Sequence, residues 1–407
     1  MGNRCLGCVQ ATSSAAFEYD TVKLVHIRNQ KIGFVYRLVQ LAIVGYILGY
    51  VIVYQKGYQD TDLVVSSVTT KMKGTAMASD DQLWDVADYV VPPEETNAVF
   101  VTTNAVITSD QTQSICGEDI ELAPCQVDSD CQENVYVRNG NGIQTGLCNM
   151  TTNSCEIRAW CPVENDTLPD PPLLGDAPKN FTLLIKNSIE FQKFDFTKRN
   201  ILDRTDKNFL ASCTYDDNDS LRQFCPIFVL AQTVADANAN WSDLALNGGV
   251  MGIFIDWNCD LDKGYSDCVP DYHFRRMDKS DSKLAKGYSF RYPVYYMKDD
   301  VQYRRLVKAY GIRFEVIVSG EAGKFSIVPL LLNIGSGIAL LSIATVICDL
   351  MVMYIVKKRQ YYKENKYQLI EDEESLFPLD VHDGDHIESQ DSEKKQLNAA
   401  NSSHYSN

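Results

Sequence analysis

Two long apolar stretches stand out against the mixed polar and apolar positions of the rest of this 407-residue chain. GFVYRLVQLAIVGYILGYVIVY occupies 33–54, and FSIVPLLLNIGSGIALLSIATVICDLMVMYIV occupies 325–356. A helix of about 20 residues crosses the hydrocarbon core of a bilayer, and both stretches are at least that long. The first begins too far into the chain, and is too long, for a signal peptide. Both are therefore predicted to be transmembrane helices, with a buried core helix as the alternative.

Basic residues lie on the outer side of both apolar stretches. They are Lys23, His26, Arg28 and Lys31 before the first, and Lys357, Lys358 and Arg359 after the second. Basic flanks remain on the cytoplasmic side of a membrane. The predicted topology therefore has a cytoplasmic N-terminal segment over 1–32, an extracellular domain over 55–324 and a cytoplasmic tail over 357–407.

Extended chain is predicted for most of the extracellular domain, where sustained helical periodicity is scarce. Residues 62–73 are rich in β-branched side chains, and apolar and polar residues partly alternate over 180–196. Two further strand-like runs are GGVMGIFIDWNCDL and YGIRFEVIVSG. The domain is therefore predicted to be mostly antiparallel β.

The strand predicted over 62–73 carries two lysines one residue apart. Side chains along a strand have a period of two, so Lys71 and Lys73 point to the same face. Like charges side by side repel each other unless an anion lies over them. The pair therefore indicates an anion-binding surface.

The overall charge limits what such a basic surface can bind. The net charge is −16 and the pI is about 4.8, so general nucleic-acid binding is not expected. Any basic site must be local. Two runs near predicted strands add further cations, with Arg291 in GYSFRYPVYY and Lys308 and Arg313 in RRLVKAYGIRFEVIV. The acidic, polar tail is expected to be largely disordered.

Cysteine usage agrees with an extracellular domain. Ten of the 13 cysteines lie in 55–324: Cys116, Cys125, Cys131, Cys148, Cys155, Cys161, Cys213, Cys225, Cys259 and Cys268. An even number in an oxidising compartment indicates five disulfides, although the sequence alone does not choose among the many pairings. A zinc cluster is disfavoured, because this segment has no C-x-x-C pair and a single histidine, His273. No metal site is predicted.

The same segment contains five sequons for N-glycosylation. They begin at Asn149, Asn165, Asn180, Asn218 and Asn240. Sequons are glycosylated on the luminal side of a membrane, so five in one segment support its extracellular placement.

Motifs for enzymatic chemistry are missing from the sequence. There is no nucleophile elbow, no H-E-x-x-H pair and no phosphate-binding glycine loop with the required spacing. Two superficial matches, at 140–146 and 320–326, lack that spacing. The chain is therefore predicted not to be an enzyme.

Over 17–367 the order and spacing of motifs resemble those of the ATP-gated P2X receptor channels. The matching text includes YDTVK, QKGYQDTD, SSVTTKMKG, NFTLLIKN, CPIF, GGVMGI, SFRY, KAYGIRFEVIVSGEAGKF, NIGSGIALL, CDL and KKRQYYKENKY. The resemblance implies an integral membrane trimer, taken as a homotrimer. Each subunit would have two transmembrane helices flanking a large β-rich, disulfide-bonded ectodomain. It also implies a plasma-membrane channel for Na⁺, K⁺ and Ca²⁺, with ATP, alone or with Mg²⁺, as agonist and no cofactor.

The family resemblance assigns a ligand site. It implies that Lys71, Lys73, Arg291 and Lys308 hold the triphosphate of ATP. Thr182 would bond the adenine, with Leu210 among its apolar neighbours. Ser289 stands where the family usually has Asn, and a hydroxyl reaches less far than an amide, so weaker agonist binding is expected.

The resemblance also assigns the pore, the disulfides and two cytoplasmic motifs. The pore residues implied are Leu332, Asn333, Ser336, Ala339, Ile343 and Asp349, the last structural rather than a filter. Asp60 and Asp62 would line a cation vestibule, unless they are ordinary surface carboxylates. The pairing implied is Cys116–Cys161, Cys125–Cys148, Cys131–Cys155, Cys213–Cys225 and Cys259–Cys268. The cytoplasmic motifs involve Thr21, Lys23, Tyr362 and Lys366.

Two other classes of protein remain as alternatives at this point. An acid-sensing or epithelial-type sodium channel also has two spans and a cysteine-rich domain, but the basic cluster fits it poorly. A two-helix ectonucleotidase would bind extracellular ATP, but the metal and glycine motifs of that class are missing.

Overall fold

The computed structural model describes residues 29–78, 81–201, 207–278, 286–357 and 359–361. It divides into two compact units, one made of Met1–Tyr46 with Ser336–Asn407 and the other of Ile47–Gly335. The motif residues Thr21, Lys23, Tyr362 and Lys366, and nearly all of the predicted tail, lie outside the described residues.

The helices and strands follow one another in a β-rich order between two long helices. The α-helices are α1 (Gln30–Gly45), α2 (Val86–Tyr89), α3 (Lys207–Ser212), α4 (Leu230–Asp236), α5 (Trp241–Asn247) and α6 (Ile327–Leu350). The strands are β1 (Gln59–Leu63), β2 (Val65–Lys73), β3 (Ala76–Met77), β4 (Leu83–Trp84), β5 (Ala98–Gly117), β6 (Ile143–Asn149), β7 (Ser154–Cys161), β8 (Thr182–Phe191), β9 (Phe196–Arg199), β10 (Ile227–Val229), β11 (Gly249–Asp256), β12 (Cys259–Asp260), β13 (Asp271–Arg276), β14 (Ser289–Lys298), β15 (Val301–Ser319) and β16 (Glu321–Phe325).

The two long helices match the predicted spans closely. Helix α1 is capped by the side chain of Asn29 and continues as a π-helix, so the first helical segment runs over Gln30–Tyr54. The second runs over Ile327–Ile355. In the most apolar 18-residue window of each, 0% and 17% of residues are buried, so the buried-core alternative is wrong. Both helices are long and apolar enough to cross a membrane.

The predicted β-rich domain is confirmed, and most of its strand pairs are antiparallel. One sheet has the order β13-β11-β15-β5-β7-β6, with β14 paired to β15. A second has the order β10-β8-β2, with β9 paired to β8, and a third has the order β1-β16-β12. The sequence did not predict that β11 pairs with β15, and β12 with β16, in parallel.

The strand that carries the two lysines has one buried and one open face. Met72 is buried while Lys71 and Lys73 are exposed, as the period of two predicts. On the neighbouring β8, Leu183 and Ile185 are fully buried. This alternation anchors β2 to the core and turns both lysines outward.

Five disulfides staple the β-rich domain. They join Cys116 to Cys161, Cys125 to Cys148, Cys131 to Cys155, Cys213 to Cys225 and Cys259 to Cys268. These are the pairs that the family resemblance implies. The first of them fixes the end of β7 against β5. It therefore also fixes the start of the segment that follows Cys161.

A glycine, Gly74, lies directly after β2, the lysine strand that carries Lys71 and Lys73. Gly74 has a φ of +150°, and a Cβ there would overlap the ring of Phe181. We expect Gly74→Ala to lower the free energy of unfolding by about 1–3 kcal/mol, because overpacking adds to backbone strain. Thermal unfolding of the purified chain in detergent measures this.

Gly175→Ala is the matched control for that substitution. Gly175 also has a positive φ, +53°, but no atom lies within 4 Å of its Cβ position. It should therefore lower the unfolding midpoint less than Gly74→Ala does. Equal effects would show that the Phe181 contact is unimportant.

Candidate ligand-binding site and pore

The first group of predicted ligand residues lies on one face of the β2–β8 pair. Lys71 is opposite Leu184, and Lys73 is opposite Thr182, which is half-buried. Among the described residues, no carboxylate forms an ion pair with either lysine. The face therefore carries uncompensated positive charge beside a hydroxyl group.

Sequence reasoning did not single out a third cation on this face. Lys186 lies four residues after Thr182 on β8, is exposed, and pairs with Thr69 across the strands. It is thus two positions along from the Lys71 pair, on the same side of the sheet. The sequence could have revealed this lysine, because in the run NFTLLIKN the period of two along a strand places Thr182 and Lys186 on the same face. Leu210 lies on the short helix α3 and is half-buried.

The second group lies on a different sheet. Arg291 on β14 is directly opposite Lys308 on β15, and Ser289 is opposite Tyr310. Two cations directly opposite each other on antiparallel strands repel, so this pair needs a counter-charge. In the part of the chain that the structure describes, no hydrogen bond or ion pair joins this group to Lys71 or Lys73.

Two carboxylates of the same chain supply that counter-charge. Glu164 accepts a hydrogen bond from Arg291 Nε at 2.6 Å. Asp166 accepts from Lys308 Nζ at 2.5 Å, and its carboxylate is 3.5 Å from Arg291 Nη2. Lys308 is only 9% exposed, whereas the side chain of Asp166 is 67% exposed, so the bond is shielded from water on the lysine side only. An internal anion therefore occupies the cationic surface.

The protonation of this pair follows from its contacts. The hydrogen bond from Lys308 lowers the pKa of Asp166 despite partial burial, and the charge of Arg291 adds to the effect. Burial alone would lower the pKa of Lys308, but its bonds to Asp166 and Tyr310 outweigh burial and raise it. Both groups are therefore held in their charged forms.

Residues 162–170, which carry Glu164 and Asp166 and are called the acidic segment, directly follow the cysteine-rich region. It follows Cys161, which is bonded to Cys116, and the Pro162 carbonyl accepts from Gln111 Nε2 at 2.7 Å. Sequence reasoning missed the segment. The sequence feature that could have revealed it is the run V-E-N-D, in which Glu164 and Asp166 are two residues apart, as Lys71 and Lys73 are.

The predicted vestibule carboxylates have a partner that the sequence did not reveal. Lys193 Nζ is 2.6 Å from Asp60, and the Lys193 backbone N–H donates to Asp62 at 2.8 Å. Both acids lie on β1, which pairs with β16 just before α6. The acidic pair is thus partly neutralised by a lysine from the turn after β8.

The predicted pore residues fall into a clear pattern on α6. Leu332, Ser336, Ala339 and Ile343 are spaced by four, three and four residues and are all exposed in the single chain. The buried residues of this helix, Gly337, Ala344 and Cys348, lie on a different face, about 130° around the axis at 100° per residue. Asn333 lies off that stripe and donates to the Gly57 carbonyl at 2.6 Å. Asp349 follows the buried Cys348 and is half-buried.

Comparison with known proteins now identifies the class of this chain. The family model described as ATP P2X receptor matches residues 17–369. P2X purinoceptor 4 of Bos taurus is 48% identical over 379 residues, covering 90% of this chain and 97% of the relative. P2X purinoceptor 5 of Homo sapiens is 45% identical over 365 residues, covering 86% and 81%.

Solved structures agree with the sequence comparison. A crystal structure of an invertebrate P2X receptor from the Gulf Coast tick, in the presence of ATP and Zn²⁺ ion, has a TM-score of 0.72 and 42% identity. It covers 78% of this chain and 99% of that one. The chicken ATP-gated P2X7 receptor channel with the competitive antagonist TNP-ATP gives 0.70 and 35%, covering 79% and 98%.

The fold and the comparisons together define a ligand-gated ion channel rather than an enzyme, as the sequence predicted. The chain belongs to the P2X receptor family. The sodium-channel and ectonucleotidase alternatives have no support from these comparisons.

Proposed function

We propose that the chain is a subunit of a plasma-membrane, ATP-gated, non-selective cation channel. It works as a homotrimer that conducts Na⁺, K⁺ and Ca²⁺. The helices near 33–54 and 325–356 cross the membrane, 55–324 is extracellular, and 1–32 and 357–407 are cytoplasmic. The observation that carries this proposal is the opposed Arg291–Lys308 pair with its internal carboxylate counter-charge.

The triphosphate of ATP replaces the internal carboxylates. Its oxygens present the same kind of acceptor to Arg291 and Lys308 as Glu164 and Asp166 do. Because the acidic segment must release these cations first, part of the gross interaction energy is used to displace it. Without ATP the site is therefore occupied by its own carboxylates. A polyanion such as a triphosphate can displace them, whereas an anion of lower charge cannot.

The complete site is shared between neighbouring subunits. Lys71, Lys73 and Thr182 belong to one sheet, while Arg291 and Lys308 belong to another. Each group alone leaves part of a triphosphate without partners. Four charge-assisted hydrogen bonds of roughly 1.5–3 kcal/mol give roughly 6–12 kcal/mol, against about 8.2 kcal/mol for micromolar binding.

Strand connectivity carries the effect of binding towards the gate. Strand β15 runs on from Lys308 to Ser319, about 36 Å at roughly 3.3 Å per residue, and leads through β16 into α6. Strand β2 leads back through β1 to the first helix. Because β1 and β16 are paired, a displacement of the Lys71–Lys73 group or of the Arg291–Lys308 group is transmitted to both helices. Opening takes about 5.5 kcal/mol, of which each of three sites supplies roughly a third.

Charge reversal of the first group tests the proposed agonist site. We expect Lys71→Glu or Lys73→Glu to abolish inward cation current on extracellular ATP, because a carboxylate there repels the triphosphate. Whole-cell recording measures the current, and surface labelling verifies that receptor reaches the membrane. Arg138→Glu, an exposed charge reversal in the cysteine-rich region, is the control and should conduct normally, because Arg138 takes part in none of the ion pairs of the described residues. Persisting current in the Lys71 and Lys73 variants would refute the site.

Removal of the internal anion should have the opposite effect. Glu164→Gln combined with Asp166→Asn leaves Arg291 and Lys308 without counter-charge, so ATP no longer has to displace it. We expect half-maximal current at an ATP concentration lower by several-fold, to about tenfold.

Asp170→Asn, in the same segment, is the control for that double variant. Asp170 is exposed, and none of the ion pairs in the described residues involves it. Its dose–response curve should match that of the unmodified channel. An unchanged or higher half-maximal concentration in the double variant would contradict displacement.

The lysine beside the acidic pair should limit cation entry. With Lys193→Gln, Asp60 and Asp62 regain their full negative potential, so we expect larger single-channel conductance at low ionic strength and a smaller difference at high salt. Lys179→Gln removes another ion-paired lysine, bonded to Asp176, and serves as control. Equal conductance in both variants would make Asp60 and Asp62 ordinary surface carboxylates.

A further inference from the structure

The hairpin closed by the Cys259–Cys268 disulfide pairs with one of the two segments that join the β-rich domain to the long helices. The first linker is 55–63, and the second linker is 321–326. Strand β1 of the first linker pairs with β16 of the second, and β16 pairs on its other edge with β12 of the hairpin. The second linker therefore lies between the first linker and the hairpin.

The side chain of Gln59 crosses the middle strand of this sheet. Gln59 is opposite Phe325 on β16. Gly323, two positions from Phe325 and on the same face, is opposite Asp260 on β12. The Gln59 amide lies over Gly323. Its Nε2 donates to Asp260 Oδ1 at 2.8 Å and to Asp262 Oδ2 at 2.7 Å, so the first linker is bonded directly to the hairpin.

The same two carboxylates make further bonds to both linkers. Asp262 Oδ1 accepts from the backbone N–H of Phe325 at 2.7 Å, and Asp260 Oδ2 accepts from Lys56 Nζ at 2.8 Å. The bond from Lys56 lowers the pKa of Asp260 against the effect of burial, and the bond from Gln59 adds to this lowering. Asp260 is therefore held in its charged form between the two linkers.

Gly323 leaves the space through which the Gln59 side chain passes. A Cβ at Gly323 would overlap Gln59 Oε1 and would lie 3.1 Å from Gln59 Cδ. The Gln59 Cβ is 3.6 Å from the same position, an ordinary van der Waals distance. Gly323 does not have a positive φ, so a larger residue there would disturb the Gln59 amide rather than the backbone conformation.

We propose that Gln59, Asp260 and Asp262 form a clasp that couples the two linkers, so that the two long helices respond together to movement of the ligand site. Strand pairing joins the first linker to the second, and the clasp adds the hairpin as a third element bonded to both. Hydrogen bonds to carboxylates are stronger than those between neutral groups, and bonds that share acceptors support one another. The consequence for channel opening rests on the proposed function, whereas the clasp itself does not.

A double-mutant cycle in thermal unfolding tests the clasp on the purified full chain in detergent. Gln59→Ala removes the amide and Gly323→Ala displaces it, so each alone should lower the unfolding midpoint by about 2–4 °C. The double variant should unfold at the same temperature as Gln59→Ala, because the added methyl group then meets only a Cβ. Additive losses would show that Gly323 acts independently of Gln59 and would overturn the clasp.

Single-channel recording at saturating ATP tests the coupling of the two linkers. Each single variant should lower the open probability by about threefold or more, and the double variant should lower it no further, because both substitutions break the same bonds. Single-channel conductance should not change, since neither residue belongs to the stripe of pore residues on α6. Losses of open probability that add up in the double variant would indicate two separate defects and contradict the coupling.

Gln132→Ala is the matched control for the loss of a glutamine amide. Gln132 is exposed in the cysteine-rich region, and its side chain takes part in none of the hydrogen bonds of the described residues. Its unfolding midpoint and open probability should equal those of the unmodified chain. A lowered midpoint with unchanged open probability in the clasp variants would overturn the coupling. If the unmodified chain gave no ATP current, the proposed function would be refuted, and the unfolding cycle would still decide whether the clasp exists.

Discussion

The opposed positive charges of Arg291 and Lys308 set the main constraint on this molecule. The register of β14 with β15 places them directly across from each other, so the fold itself creates a surface that requires an anion. Glu164 and Asp166 meet that requirement in the single chain. The Cys116–Cys161 disulfide lies at the start of the segment that supplies this counter-charge.

The same strands connect the cationic surface, along the chain, to the two long helices. Strand β15 carries Lys308 in its first half and passes into β16 at its end, and β16 pairs with β1, the strand that precedes β2. In the proposed function, ATP shared between subunits replaces these intramolecular carboxylates, and the strands carry the effect to both helices. The acidic pair of β1 lies on this route, and Lys193 moderates its charge.

Much of this architecture was predictable from local patterns, and the remainder depends on long-range pairing. Apolar length located both helices to within about three residues, and the period of two placed Lys71 and Lys73 on an open face. The sequence could not show that Glu164 meets Arg291 or that Lys193 meets Asp60, because those partners are 127 and 133 residues apart. The parallel pairing of β11 with β15 was missed for the same reason, and the disulfide pairing came from family resemblance alone.

The central claim is that one triphosphate site is built from two subunits. Nucleotide binding to co-expressed variants tests it, with Lys71→Gln/Lys73→Gln on one subunit and Arg291→Gln/Lys308→Gln on the other. Each variant alone should bind no ATP, whereas purified mixed trimers should regain one site, because one interface then combines the two unmodified groups. Mixed trimers that bind no ATP would place both groups of one site in the same subunit and contradict the account.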